Sequence, residues 1–376
     1  MTDSRQGIDM PALTGVRFIA VSMVFLIHHI SFDIYGNVLG GIINQFYLSL
    51  HIFFVLSGFI ICYKYYDEVK TDKSFLFDFY LKRFSRIYPL YFLLTSFFFI
   101  VLFFTETDQK HLFLTYLINI TFLKGLSSWY MFTGIYPSWS LTVEEMFYLF
   151  SPFIFLLIKK RSILYFQILF FWLTGLFLFF LFQKFPFHGF FKDLRFIAFA
   201  TFFGRCFEFF AGIKLALVIK KRMAGNMIVS KNPKLPVSFT YLGIFCMVFV
   251  IAILFFLSPS YKVNATHSAG GIIVSNLVFP LAVVVFFFGL IMEKTVVRSI
   301  LSTRAFQLLG KGSYAFFLVH TGVIANWVNE NICKRNILLL YIAMYGIAIL
   351  LSKTVEIPLN YHLRTFGSKL YQNRLT

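Results

Sequence analysis

Residues 162–182 read SILYFQILFFWLTGLFLFFLF, without one charged side chain. At 1.5 Å of rise per residue, a helix of this length crosses about 30 Å of hydrocarbon. Lys159-Lys160-Arg161 precede the run and Lys184 follows it. A helix that is apolar on every face and bracketed by cations is a membrane span, not the amphipathic helix of a soluble domain. Comparable runs stand at 11–32, 44–63, 87–105, 141–158, 195–219, 238–257, 271–292, 312–330 and 336–352. The segment 111–124 is apolar but short, which suits a re-entrant or interfacial helix. The expected fold is an all-α membrane protein, with about ten transmembrane helices in one bundle. One transmembrane domain is expected over residues 1–364, followed by a short cytoplasmic tail, 365–376.

Composition agrees. Of 376 residues, 59% are hydrophobic and 13% are charged, about half the usual charged share. The 55 phenylalanines read as lipid-facing bulk. A formal charge of +18 in a soluble chain points to nucleic acid, but here the cations sit in short loops between apolar runs, so no nucleic-acid partner is expected. The loop 64–86 holds Lys64, Lys70, Lys73, Lys82, Arg83 and Arg86, whereas 33–43 holds no Lys or Arg and 106–140 only Lys110 and Lys124. Further basic loops fall at 159–161, 220–234 and 294–311. Excess positive charge on the inner side places these loops, and both termini, in the cytoplasm. Lys184, Lys192 and Arg195, then Lys334 and Arg335, weaken that pattern without reversing it. Four cysteines without a CxxC pair indicate neither a disulfide framework nor a metal site. The first apolar run carries Arg17 and lacks a small-residue cleavage pattern, so no cleavable signal is expected.

Ionisable residues inside membrane helices are costly and become candidates for function. Arg17 and His28 are eleven residues apart, on one helical face and ~16 Å apart along the axis. They cannot touch each other, but one elongated ligand reaches both. The competing reading has Arg17 snorkelling to headgroups and His28 as a core histidine. His29 points about 100° away. Arg83 and Arg86, at i and i+3, suit phosphate binding or an anchor on acidic lipid. Trp139-Ser140 leads into Glu144-Glu145, where Ser140 or Thr142 caps a helix and the acids occupy its first turn, or where the acids orient a histidine or an arginine. Arg205 and Glu208 form an i,i+3 ion pair in waiting. Gly310-Lys311-Gly312 leads toward His320, and His51 is a further intramembrane histidine.

The order of these elements resembles the acyltransferase-3 family of membrane O-acyltransferases. The matching residues are Arg17 with His28; Phe53 to Phe59; Arg83, Arg86, Ile87 and Pro89; Trp139, Ser140, Leu141 and Glu144; and Leu309 to His320, where the final spacing departs slightly. The resemblance implies ten helices and no bound cofactor. It implies acyl-CoA, with acetyl-CoA as the expected form, as co-substrate. The acceptor is a hydroxyl on a glycan or lipid-linked sugar, such as lipopolysaccharide O-antigen. It implies His28 as catalytic base, and Arg17, Arg83 and Arg86 as donor-binding residues. Glu144 is a further catalytic candidate. His320, Arg205, Glu208, Trp139 and Ser140 are acceptor-binding or structural candidates. The expected location is the bacterial cytoplasmic membrane, among membrane lipids. Some family members carry an appended esterase-like domain, which is not expected here. The rival class is a proton-coupled transporter or flippase, for which inverted repeats and paired broken helices are the missing signs.

Overall fold

The computed structural model describes residues 10–30, 32–105, 110–161, 163–224, 238–260 and 263–372. Among the described residues there is no named strand, only two isolated bridges, Ser127 with Phe190 and Ser260 with Val263. The helices, in chain order, are α1 (Pro11–His29), α2 (Phe32–Ile43), α3 (Ser49–Tyr65), α4 (Lys73–Thr105), α5 (Leu112–Ile120), α6 (Trp139–Arg161), α7 (Leu164–Lys184), α8 (Leu194–Ala200) and α9 (Phe202–Ala224). They continue as α10 (Phe239–Leu257), α11 (Ala269–Ile273), α12 (Phe279–Met292), α13 (Val296–Leu301), α14 (Arg304–Lys311), α15 (Ser313–Val319), α16 (Val323–Asn331), α17 (Ile337–Leu351) and α18 (Ile357–Gln372).

Among the described residues, eight helical stretches are long and apolar enough to cross a membrane. The expectation of about ten spans is compatible with this. The two further runs are helical but interrupted. Helix α9 carries Arg205, Glu208 and Lys214. The run 312–330 breaks into α15 and α16 at Gly322, whose φ of +84° favours glycine. Helix α18 continues past residue 364 to Gln372. Residues 373–376 of the expected tail, and the loop cations Lys231 and Lys234, lie outside the described residues.

The run expected at 162–182 is met by α7, Leu164–Lys184. Its buried residues, Leu164, Gln167, Ile168, Phe171 and Gly175, recur every three or four positions and form one stripe. The other faces present Tyr165, Phe166, Phe170, Phe177 and Phe180, exposed to what would be lipid. Gln167 donates from Nε2 to Ile154 O at 3.3 Å, so the buried amide does not face hydrocarbon unsatisfied.

The chain divides into two compact units. The first comprises residues up to 23, 35–68 and 207–311. Here α10 and α12 pack in antiparallel register: Gly243 lies under Phe286 and Gly289 under Thr240, each too close for a side chain. Small residues that let backbones meet are the usual glue of helices in lipid. The Glu293 carboxylate closes the start of α10. It accepts from Phe239 N (2.7 Å), Thr240 N (3.0 Å), Ser238 Oγ (2.6 Å) and Thr240 Oγ1 (2.7 Å). His51 and Glu208, both fully buried, face each other at 3.8 Å in this unit.

The second unit comprises residues 24–34, 69–206 and from 312 onward. Helices α4 and α18 are its closest neighbours along a long face. Among the described residues, two π-helical segments occur, at Val274–Val278 and Ser352–Glu356. Each ends two residues before a proline, Pro280 or Pro358. Proline removes an N–H and crowds the carbonyl four residues back, and a wider turn relieves both.

Candidate active site

The second unit gathers the chemistry. His28, one residue from the end of α1, is exposed, while His320 closes α15 and is fully buried. His28 Nδ1 lies 3.1 Å from His320 Nε2. His320 Nδ1 lies 2.9 Å from Phe317 O and 3.2 Å from Phe316 O. Carbonyls only accept, so Nδ1 of His320 carries the proton and its Nε2 is an acceptor. His28 therefore donates from Nδ1, with the Val24 carbonyl as a further backbone partner of the ring, and the neutral ring carries its lone pair on Nε2. His29 donates from Nε2 to His320 O at 2.6 Å and fixes the end of α15. Thus one adjacent histidine presents a base while the other secures its partner.

Tyr136 stands edge-on to His28, with centroids 5.5 Å apart, and stacks on Phe132 at 4.7 Å. Both aromatic rings are exposed. They belong to a loop tied down from beneath by Lys124. This lysine is fully buried and donates from Nζ to Thr133 O (2.5 Å), Ile135 O (2.9 Å) and Ser138 Oγ (3.0 Å). Three acceptors match the three protons of an ammonium group. Burial pulls Lys124 down to about 7.

At the start of α15, Tyr314 donates from its hydroxyl to Ile87 O at 2.6 Å, docking α15 on α4. Beside it lies a cluster of charges. Arg83 is buried and stands over the Tyr148 ring, 5.9 Å from its centroid. Tyr148 donates to Glu144 Oε1. Arg83 and Glu144 are electrostatic neighbours of Glu145, and Arg86 is one of Tyr148. Glu356, placed by the second π segment, is a charge neighbour of Tyr314. Tyr314 and His320 are six residues apart, so this cluster sits ~9 Å from the histidine pair along the axis of α15.

The other sequence candidates fall elsewhere. Helix α6 starts at Trp139, one residue before Ser140, because a 3₁₀ turn built around Pro137 feeds it. Consequently the acids Glu144 and Glu145 lie beyond its first turn, and neither expected cap forms. Ser140 instead donates to Pro137 O (3.1 Å) and Thr142 to Phe122 O (2.6 Å). Trp139 is buried, 5.1 Å from the Phe199 ring. Arg205, fully buried, donates from Nη1 to Phe199 O at 3.0 Å, while Glu208 faces His51. Arg17 lies on the part of α1 that belongs to the first unit and is half-buried there.

A sequence profile described as an acyltransferase domain matches residues 10–355, nine-tenths of the chain. The chain belongs to the acyltransferase-3 family. It is also 27% identical over 172 residues to the protein named acyltransferase MdmB of Streptomyces mycarofaciens, covering 41% of each chain. The chain thus spans about two fifths of the length of that relative. No solved structure matches it. The profile is that of an acyltransferase domain, and eight of the described helical stretches are long and apolar enough to cross a membrane. Three residues near the histidine pair escape a reading by spacing: Lys124, Tyr136 and His29. The signal for Lys124 was its position, a single cation ending an apolar run. Tyr136 carried none.

Proposed function

We propose that the protein transfers an acyl group, acetyl by expectation, from cytoplasmic acyl-CoA to a hydroxyl of a glycan or lipid-linked sugar such as lipopolysaccharide O-antigen. The observation that carries this reading is the His28–His320 contact, which sets the Nε2 lone pair on an exposed ring. The acceptor oxygen attacks the thioester carbonyl as its proton passes to His28 Nε2. The His28 imidazolium then holds its Nδ1 proton against the His320 lone pair, a neutral counterpart of the orienting acid in a catalytic triad. The tetrahedral intermediate collapses, the carbon–sulfur bond breaks, and the thiolate takes the proton back from His28. Acyl ester and free CoA are the products.

In this reading the donor enters from the end of α4 that carries Arg83 and Arg86, and its pantetheine arm runs past Tyr314 toward His28. Glu144, through Tyr148, and Glu145 hold Arg83 in place. Arg17 is a further donor contact, on the same helix as His28. The basic loops and both termini lie in the cytoplasm, and the acceptor reaches His28 beside Tyr136 from the opposite side, in the bacterial cytoplasmic membrane.

The test is mass spectrometry of cell-surface glycans from cells making the wild-type protein or a His28→Ala protein of equal abundance. The expected result is an added acyl mass, 42 Da for acetyl by the chemistry of ester formation (~42), present with wild type and lost with the variant. An equal mass in both would overturn the role of His28. For the donor, Arg83→Ala with Arg86→Ala is expected to weaken acyl-CoA binding in calorimetry.

A further inference from the structure

A groove of about 650 Å³ opens between α4 and α18, within the second unit. From α4 it is lined by Asp78 and Lys82, and from α18 by Asn360, Tyr361, Arg364 and Lys369. Lys82 pairs with Asp78 one turn away, which leaves the charges of Arg364 and Lys369 in excess on the opposite wall. Both of these side chains are exposed, as is Tyr361 at 65%. The floor is built for close approach, since Gly367 leaves no room for a side chain against Leu81. Beyond the groove, Phe77 of α4 and Tyr371 of α18 stack at 4.6 Å.

One end leads inward. Ser85 donates to Asn360 Oδ1 at 3.4 Å, and on each helix the next turn belongs to the charged cluster. On α4, Arg86 follows Lys82 by four residues; before Asn360 by four stands Glu356, the charge neighbour of Tyr314. Residues four apart share a helical face. The groove, whose walls mix these charges with Leu81 and Ile357, and the cluster are therefore successive stretches of one seam, and the seam ends at α15, which His320 closes.

We infer that this groove holds the nucleotide end of acyl-CoA: Arg364, Lys369 and Lys82 take its phosphates, and the exposed ring of Tyr361 stacks on the adenine. This rests on acyl-CoA as the donor. Three properties suit that occupant. The volume lies in the range of pockets that hold small ligands, roughly 300–1,000 Å³. Cations grouped on one wall, with a planar guanidinium among them, suit a terminal phosphate. An aromatic face beside them suits a purine. The seam then gives the pantetheine arm a course toward the histidine pair that is polar at its mouth.

The experiment uses the full chain in nanodiscs, wild type against Arg364→Ala with Lys369→Ala, two exposed positions. CoA and adenosine 3′,5′-bisphosphate are titrated, and transfer from acetyl-CoA is compared with transfer from S-acetylpantetheine, which has no nucleotide. The expected result is a loss of affinity for both nucleotides of about tenfold or more, the effect of removing one charge-assisted hydrogen bond or more. The preference for acetyl-CoA over S-acetylpantetheine falls by the same factor. Equal CoA affinity in the two proteins overturns the groove assignment and leaves acyl-CoA as donor. A wild-type protein that binds no CoA overturns both. If the variant instead loses co-purified phosphatidylglycerol while CoA affinity is unchanged, the groove serves lipid phosphate and the inference is wrong. An equal fall in transfer from both donors also overturns it.

Discussion

His28 and His320, 292 positions apart in sequence, meet Nδ1 to Nε2 at 3.1 Å, and the second ring is held by two carbonyls of its own helix. No carboxylate is needed to set the proton on the inner nitrogen. Removing the outer ring, in His28→Ala, is expected to lower kcat by about 10²–10⁴-fold, the usual share of a general base. Removing the inner ring, in His320→Ala, leaves the base present but unaimed, and about 10² is expected. His320→Gln is expected to recover part of that loss, because its amide oxygen also accepts from Nδ1 of His28. Steady-state rates at saturating donor distinguish the three. A His320→Gln protein no faster than His320→Ala would show that accepting this proton is not the role of the ring.

Lys124 holds its loop through two backbone carbonyls and one hydroxyl. In Lys124→Met these acceptors stay buried without a donor, at a cost of about 1–3 kcal/mol each. The expected outcome is a clear fall in the thermal midpoint in detergent, with a fall in kcat because Tyr136 is no longer placed beside His28. The pH dependence has a definite sign. Burial lowers Lys124 from 10.5 to about 7, so between those values the unfolded chain binds the extra proton. Stability from this group therefore rises with pH across that window. Subtracting the Lys124→Met curve from the wild-type curve isolates the slope.

Glu293 predicts the opposite end of the scale. Burial alone would raise its carboxyl, but hydrogen bonds from Ser238, Thr240 and Phe239 outweigh this and hold it below the ordinary range. Its contribution is full above the unfolded value and is lost as pH falls through the lower folded one. Glu293→Gln is expected to destabilise the start of α10 by about 1–2 kcal/mol, as loss of a helix cap does. Thermal unfolding from pH 6 to pH 3 should show a steeper decline for wild type than for the variant.

Gly134 has a φ of +63°, and a side chain there meets Asn119 Oδ1 at 2.5 Å. Asn119 is fully buried and donates to Thr115 O and Thr133 Oγ1. Gly134→Ala is thus penalised twice, by conformation at about 1–2 kcal/mol and by the clash. The expected outcome is a lower thermal midpoint with the histidine pair intact, measured alongside Gly346→Ala, where the added methyl meets nothing within 4 Å.

The membrane fold was legible because apolar length is a local property: residues 162–182 needed no partner to be read as α7. Interrupted runs were harder. Arg205 and Glu208 inside α9 break apolar continuity while the chain still runs on as helix, whereas Gly322 divides one apolar run into α15 and α16. The spacing of Arg17 and His28 was a helical property and survived in α1. The partnership of His28 with His320 was not, because nothing local links the two. The start of α6 differs for a local reason: a 3₁₀ turn, Tyr136–Ser138, built around Pro137 feeds the helix, so Trp139 begins it and Ser140 turns its hydroxyl to Pro137 instead of capping. His29 escaped because its role is to donate to the backbone of a helix far away in sequence.

The burial of Lys124 bears on the integrity of the catalyst itself. An unprotonated primary amine is a stronger nucleophile than a hydroxyl, and the loop that Lys124 anchors carries Tyr136, whose ring stands edge-on to His28. In the proposed reaction, a lysine amine open to the donor would take the acyl group as an amide and modify the protein itself. With its Nζ donating to three oxygens and none of its surface exposed, Lys124 offers no nucleophile to an acyl donor.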